Sequence, residues 1–482
     1  MDESNLGSRF IPAARPEGVT LTRWLCDEIR GAILSGKLKR GWALPATRQL
    51  AETAGVSRHI VVNVYEQLAA EGYLEGEIGR GTFVREEILE DFLVSAEPPE
   101  PAEAREIWAD GYDPPIRPFR VMQPAIDQFP LRAWKCAATR SLRGYSRESL
   151  SGGQVAGLLR LRSAIAAYLT SSRGVSCSAH NVVVVSGVLP AVQLIARLLI
   201  KPGDPVWFED PGYTGAMHEF ESCGARIVAV PVDQAGLDVE RGRKLCPAPR
   251  AVYLTPAHQF GLGTALSLER RLALLALARQ RGTVLIEDDY DSEFRFAGRP
   301  LPAMKGMAGG DEVFLLGTFN KLLFPAMRLG YLVVPDSWMD RILALRFRMD
   351  RYPATLPQEI LASFIESGDF IRHLRRMRQL YGDRREILAR QTARHLDAIL
   401  EIPAIDAGLY TPAYLRNEMS STTASTLAAK HGVDAWPIDR FTLKRRDLRA
   451  LLLGFACFPE TEIRSGVLSL AKALRSLQRR RG

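Results

Sequence analysis

Lys321 stands in Gly317-Thr318-Phe319-Asn320-Lys321, where an apolar run gives way to polar residues. A lysine amine at the end of a buried strand can form a Schiff base with an aldehyde if its surroundings lower its pKa. A lone lysine is more often a solvated surface charge, so its companions decide. Upstream, Ile286-Glu287-Asp288-Asp289-Tyr290 closes another apolar run. Asp288 can hold a pyridinium nitrogen protonated, which makes the ring an electron sink, and Tyr290 can hydrogen-bond a ring hydroxyl. Ser186-Gly187-Val188 precedes a helical segment, Ala191–Leu199, whose first turn offers a phosphate free N–H groups and a favourable dipole. Thr318 and Asn320 add side-chain donors, and Arg328 a charge-assisted bond. Tyr213, after Asp210-Pro211-Gly212, can stack on a flat heterocycle. His258 ends the run AVYLTPAH. Taken singly, EDDY also reads as a metal site or a solvated loop, and Tyr213 as a turn aromatic covering core. Together, in this chain order, these residues describe a site for pyridoxal 5′-phosphate, with Lys321 as the catalytic residue and no metal.

Such a site needs a rigid frame. From about Ile116 the chain alternates strand-like runs with helix-like ones: VVVVSG, VWFEDPG, AVYLTPA, VLIEDDY, VFLLGTF and LGYLVVP. Near-continuous apolar strands indicate a mostly parallel α/β sheet covered on both faces. Ligand groups collect at the carboxyl ends of such strands, where Ser186, Asp210, His258, Asp288 and Lys321 fall.

The N-terminal region has another design. Leu21, Leu25, Ile29 and Ile33 recur at helical spacing. A short helix, Thr47 to Thr53, is followed by Ala54-Gly55-Val56, and Ser57 N-caps a helix striped by Ile60, Val61, Val64, Tyr65 and Leu68. Tyr73-Leu74 and Thr82-Phe83-Val84 read as strands joined by the Gly-containing hairpin Glu77–Gly81. This order is that of a winged helix-turn-helix. Ser57, Arg58 and His59 form the polar start of a recognition helix. Arg48 can reach a guanine edge or a phosphate, and Arg80 at the hairpin tip suits the minor groove or backbone. Each arginine alone is an ordinary surface charge; their ordered grouping points to double-stranded DNA.

Residues 86–115, around AEPPEPAEAR, are acidic and proline-rich, which is linker chemistry. The expected division is a DNA-binding domain over 16–85, a linker over 86–115 and a ligand-binding domain over 116–482. At 482 residues, 46% hydrophobic and 24% charged, the composition is that of a multidomain globular chain, and the net charge of +8 permits a polyanionic partner. The start MDESNLGSRF does not read as a signal peptide. Val182 to Ile200 is long enough to span a bilayer but is interrupted by Ser186, Gly187, Pro190, Gln193 and Arg197, so it reads as strand plus helix. The scattered cysteines lack a C-x-x-C pair, which fits reduced thiols in a cytoplasm.

LPATRQLAETAGVSRHIVVNVYEQLAAEGYLEGEIGRGTFV resembles the winged helix-turn-helix of the GntR family over its whole length. EDDYDSEFRF, GTFNKLLFPAMRLGYLVVP, DPGYTGA, TPAHQF and FIRHLRRMRQLYGDRR are similar to fold-type I aminotransferases. More narrowly, they resemble the MocR-type subfamily of GntR regulators, which joins such a DNA reader to an aminotransferase-like domain. The resemblance implies that Lys321 carries the cofactor, Asp288 pairs the pyridine nitrogen, Tyr290 meets O3′ and Arg328 meets the phosphate. It also implies a homodimer whose sites borrow residues from the neighbour. The chain departs from the pattern at His59, at VLPAVQL, at Asn320 for Ser and at Gly261 for Pro. Leu452, in LLLGFA, stands where many aminotransferases carry the arginine that clamps a substrate α-carboxylate; Arg449 is three residues away. The expected function is a pyridoxal-phosphate-dependent transcriptional regulator sensing a small amine, an amino acid or the cofactor itself. The alternative is a working aminotransferase with a DNA-binding arm, because Lys321 and Asp288 are both present.

Overall fold

The computed structural model describes residues 10–16, 18–77, 80–88, 116–296, 302–307 and 313–478. The chain divides into two compact units, residues 1–113 and 114–482. The expected linker lies outside the described residues from position 89 onward.

The first unit comprises α1 (Leu21–Leu34), α2 (Thr47–Ala54), α3 (Arg58–Ala70) and an antiparallel hairpin, β1 (Leu74–Glu77) with β2 (Gly81–Val84). α1 buries Trp24, Leu25, Cys26, Ile29, Ala32 and Ile33. Leu21, expected in that stripe, is only half-buried because it occupies the first, open turn. α2 stops at Gly55, where φ is +66°, a backbone that a side chain resists. The Ser57 hydroxyl then accepts from the Ile60 N–H at 3.4 Å and starts α3. Val61, Val64, Tyr65 and Leu68 are buried, and the Tyr65 hydroxyl donates to the Pro45 carbonyl at 2.8 Å, so its polar end is satisfied. β1 begins later and runs further than expected; Ile78 and Gly79 of the loop lie outside the described residues.

The second unit is built on one large sheet. Its strands are β3 (Val182–Val185), β4 (Pro205–Asp210), β5 (Arg226–Asp233), β6 (Gly236–Leu237), β7 (Ala251–Leu254), β8 (Val284–Asp289), β9 (Val313–Thr318) and β10 (Gly330–Val333), in the order β3-β10-β9-β8-β7-β4-β5-β6. The central run from β5 to β9 is parallel, whereas β10 is antiparallel to both neighbours and β6 to β5. Every residue of β3, β7, β8, β9 and β10 is buried, the physical reason these strands are mostly apolar; the exceptions cluster at the carboxyl ends, Glu287-Asp288-Asp289 of β8 and Thr318 of β9. β5 was not expected: its apolar run Ile227–Val230 is followed by Pro231, a residue that reads as a strand breaker, although the strand continues to Asp233. Helix Val188–Leu199 begins three residues earlier than the expected Ala191, with Pro190 in its first turn where a missing N–H breaks no helical bond.

A second, antiparallel sheet was also not expected. It holds β11 (Leu400–Glu401), β12 (Tyr410–Leu415), β13 (Trp436–Pro437) and β14 (Ala450–Gly454), in the order β11-β12-β14-β13. Among the described residues, no helix is long and apolar enough to cross a membrane; 182–200 is a strand followed by a helix.

Candidate functional site

A cavity of about 470 Å³ opens at the carboxyl ends of β8 and β9, beside the first turn of helix Val188–Leu199. Gly187, Val188, Tyr213, Asp288, Tyr290, Thr318, Asn320, Lys321 and Arg328 all line it. Residues distant in sequence are therefore brought to one space by strand ends, as a doubly wound sheet demands.

Asp288 is fully enclosed at the end of β8. One carboxylate oxygen accepts from the Tyr253 hydroxyl; the other, Oδ1, is buried with no hydrogen-bond partner. Burial pushes its pKa up from 3.8 to about 7; the tyrosine opposes the shift, and Asp289 and Asp291 add to it. An unsatisfied buried carboxylate oxygen is costly. A protonated ring nitrogen would satisfy it, so the donor set fits a pyridinium group.

Lys321 sits in a one-turn helix, Phe319–Leu322, directly after β9. The Thr318 hydroxyl caps that turn by accepting from the Asn320 N–H at 3.2 Å. The Lys321 amine donates to the Met122 carbonyl at 2.8 Å. A Cβ on Gly317 would come within 2.1 Å of the Tyr331 ring, so glycine is what lets β9 close on β10 just before the lysine. Gly187 precedes the phosphate-type helix start with φ at +125°. Arg328 lines the same cavity from a left-handed backbone, φ +49°, a conformation that side chains rarely adopt and that marks a positional demand.

Ser186 and His258 do not line the cavity, contrary to the expectation that they contact the cofactor. His258 lies behind Tyr290: its Nδ1 is 3.0 Å from Asp291 Oδ2 and 3.1 Å from the Tyr290 hydroxyl. That hydroxyl also donates to the His258 carbonyl at 2.9 Å and lies 3.3 Å from the Tyr410 hydroxyl. The histidine therefore holds Tyr290 from the rear. Ser186 lies between the end of β3 at Val185 and the helix N-cap, Gly187, which takes the wall in its place. Met122, Phe260, Trp436, Arg440 and Phe441 also line the cavity and were missed. They come from a coil, a loop, a two-residue strand and a short turn, none of which has a periodic signature.

In the first unit, Arg48, Ser57, Arg58, His59 and Arg80 are all exposed. The Arg58 Nε donates to the Thr47 hydroxyl at 3.3 Å, which ties the start of α3 to the start of α2. His59 lies 3.4 Å from the Asn63 amide. Arg80 pairs with Glu77 and has its guanidinium 5.7 Å from the Phe83 ring. These are weak, solvated contacts that a nucleic acid can displace at little cost.

Residues 21–84 match the bacterial regulatory proteins of the gntR family, and residues 123–465 match aminotransferase class I and II. The chain is 37% identical over 96% of its length to the probable rhizopine catabolism regulatory protein MocR of Rhizobium meliloti, covering 96% of that protein. It belongs to the MocR-type GntR regulators. Another such regulator, the pyridoxine biosynthesis transcriptional regulator PdxR of Corynebacterium glutamicum, is 29% identical over 95% of this chain and 97% of its own. Among solved structures, the α-aminoadipate aminotransferase LysN of Thermus thermophilus, complexed with N-(5′-phosphopyridoxyl)-L-leucine, superposes with a TM-score of 0.70 at 26% identity. That match covers 75% of this chain and 93% of LysN. As a MocR-type regulator, the chain thus joins a GntR reader to a fold-type I aminotransferase domain.

Two departures from the MocR-type and aminotransferase pattern can be read in the structure. Gly261 has φ +112°, a backbone closed to the expected proline, whose φ is fixed near −65°. Leu452 is fully buried in β14, in register with Pro412 and Trp436, so no charge occupies the clamp position. Arg449 is exposed and does not line the cavity.

Proposed function

We propose that the second unit binds pyridoxal 5′-phosphate in the Lys321 cavity and uses it to sense a small amine, an amino acid or the cofactor itself, while the first unit binds a double-stranded operator. The observation that carries this reading is the unpartnered Asp288 oxygen in the cavity that also holds Lys321. When bound, the cofactor supplies an aldehyde for amines and a ring that withdraws electrons. Asp288 would pair with the ring nitrogen, and Tyr290, braced by His258 and Tyr410, would meet the ring hydroxyl. Tyr213 would stack on the ring; Arg328, Asn320 and the N–H groups at Val188 would hold the phosphate. In the reader, Arg58 and Arg48 would face base edges or phosphates and Arg80 the backbone. The phosphopyridoxyl adduct of LysN and the regulator names of MocR and PdxR support this division of labour. We further propose domain limits of 16–85 and 116–482 joined by a linker over 86–115, a homodimer, and a cytoplasmic location.

The second reading, an aminotransferase carrying a DNA-binding arm, is favoured by the coexistence of Lys321 and Asp288. Operator titrations of the loaded protein, the cofactor-free protein and Lys321→Ala at fixed salt separate the two. Allosteric coupling of about 1–3 kcal/mol changes operator affinity roughly 5- to 150-fold, and linkage demands the same factor for cofactor or effector when DNA is present. Identical operator affinity in all three, together with steady transamination, selects the enzyme.

A further inference from the structure

We propose that Arg440, braced by Trp436, is the receptor for an anionic group on the effector, and that the effector is an amine bearing a carboxylate. The proposal rests on the sensing role given above and names the chemistry that the same cavity selects.

Among the described residues, two arginines line the cavity, Arg328 and Arg440. Arg328 shares the cavity with the helix start at Gly187 and Val188 and is assigned above to the phosphate, which leaves Arg440 surplus to cofactor binding. Neither has a carboxylate within ion-pair distance among the described residues. Arg440 is exposed while lining the cavity, which puts it where the cavity meets solvent. It belongs to the turn Ile438–Phe441, directly after β13.

Its support is built in. The Arg440 guanidinium lies 4.9 Å from the Trp436 ring, and the indole N–H donates to Asp434 Oδ1 at 3.0 Å. The turn is in turn held to the Tyr213 segment, since the Gly212 N–H donates to the Phe441 carbonyl at 3.0 Å. A guanidinium oriented over an anchored ring loses little freedom when it grips a planar carboxylate with paired hydrogen bonds.

The clamp position supplies the second argument. Leu452 is apolar and buried, and its register partner across the ladder is Trp436. The cation missing from β14 is thus delivered by the segment that follows the neighbouring strand. A shifted clamp alters the distance between an amine at Lys321 and its anion, so selection falls on the length of the amino acid. Phe260, Phe441 and Tyr213 give the walls an apolar character suited to a short carbon body.

The test is isothermal titration of the full-length, cofactor-loaded protein with glycine, L-alanine, β-alanine, 4-aminobutanoate and 5-aminopentanoate, against n-propylamine and n-butylamine. At least one amino carboxylate is expected to bind the parent more tightly than either plain amine. Arg440→Gln should weaken that ligand roughly 10- to 100-fold, the range for a lost charge-assisted bond, and Arg440→Lys should recover part of it. Plain amines and the visible absorbance of the cofactor should be unchanged in both variants. Equal amino-carboxylate binding by Arg440→Gln and parent overturns the proposal, as does a parent that binds none of the amino carboxylates. Loss of cofactor absorbance in Arg440→Gln also overturns it, by assigning the residue to the cofactor. A parent that takes up no cofactor defeats the sensing role itself, and this inference with it; that outcome is visible before any amine is added.

Discussion

The reader and the cavity place their candidate functional residues under opposite physical conditions. In the first unit, Arg48, Ser57, Arg58, His59 and Arg80 are exposed and contact only near neighbours. In the second, Asp288, Tyr290 and Thr318 are buried, and Asp288 keeps an unpartnered oxygen. Solvated residues add little to stability and can be exchanged freely for function. Buried, under-satisfied ones work against stability until a ligand completes them. The reader is therefore a surface on a unit with its own hydrophobic core, and the cavity carries a deficit that the proposed ligand would fill.

The largest expected effect tests whether the deficit is filled by an aldehyde cofactor. The parent should be yellow after incubation with pyridoxal 5′-phosphate, and borohydride should fix the label on Lys321. Lys321→Ala should abolish the fixed label outright. Peptide mapping that finds the label on another lysine, or a protein that stays colourless, removes the cofactor from the comparison altogether.

Next comes the buried carboxylate. Because burial raises the folded pKa of Asp288 from 3.8 to about 7, the folded state holds a proton that the unfolded chain has released across that interval. This contribution to stability is fully present below about pH 4 and is lost as pH rises to about 7. Asp288→Asn removes the titration. The cofactor-free variant should melt like the parent near pH 4 and progressively above it toward pH 7, while its cofactor uptake falls. A melting difference that is flat with pH would show that the carboxylate is satisfied by something other than a ligand.

How much of this was legible follows from the same contrast. The reader is local: the Ser57 cap, the Gly55 turn and the stripe Val61, Val64, Tyr65, Leu68 lie close together in sequence, so periodicity and capping chemistry reveal them. In the cavity, strand-end residues such as Asp288 and Thr318 were visible because uniformly buried strands announce their own ends. Trp436 and Arg440 were invisible, since a two-residue strand and a short turn have no period to read. The antiparallel sheet of β11–β14 escaped for a related reason: its edge strands β11 and β13 have only two residues each, and the pairing of the central β12 with β14 is set by tertiary contacts. His258 was misplaced by one layer. Its position at a strand end was apparent, but which side of Tyr290 it would occupy depends on Asp291 and on the glycine at 408, where a Cβ would lie 2.1 Å from the imidazole.

On the reader, Arg58→Ala should reduce specific operator affinity roughly 5- to 150-fold, the range for a direct base contact of about 1–3 kcal/mol. Its effect on the stability of the first unit should stay within about 0.5 kcal/mol, because the side chain is exposed and its bond to Thr47 is long. Competition binding on operator and scrambled DNA, beside thermal melts, reads both quantities. A large stability loss with unchanged sequence preference would make Arg58 a structural residue and dissolve the contrast with Asp288.

The smallest effect concerns Ser57, which belongs to both categories. Its hydroxyl accepts from the Ile60 N–H and so caps the helix that carries Arg58 and His59. Replacing a serine cap with alanine costs about 1 kcal/mol. Ser57→Ala should therefore lower the stability of the first unit by about that amount, whereas Ser57→Asp should hold stability through an equivalent cap. The two variants diverge on DNA. Ser57→Ala leaves Arg58 in place on a helix whose first turn frays, so operator affinity should fall only modestly. Ser57→Asp preserves the turn but sets a negative charge where a phosphate would approach, so binding should weaken more, and most at low salt where charges are least screened. If Ser57→Asp binds the operator as well as the parent across that salt range, the start of α3 does not face DNA, and the recognition surface must be sought elsewhere on the reader.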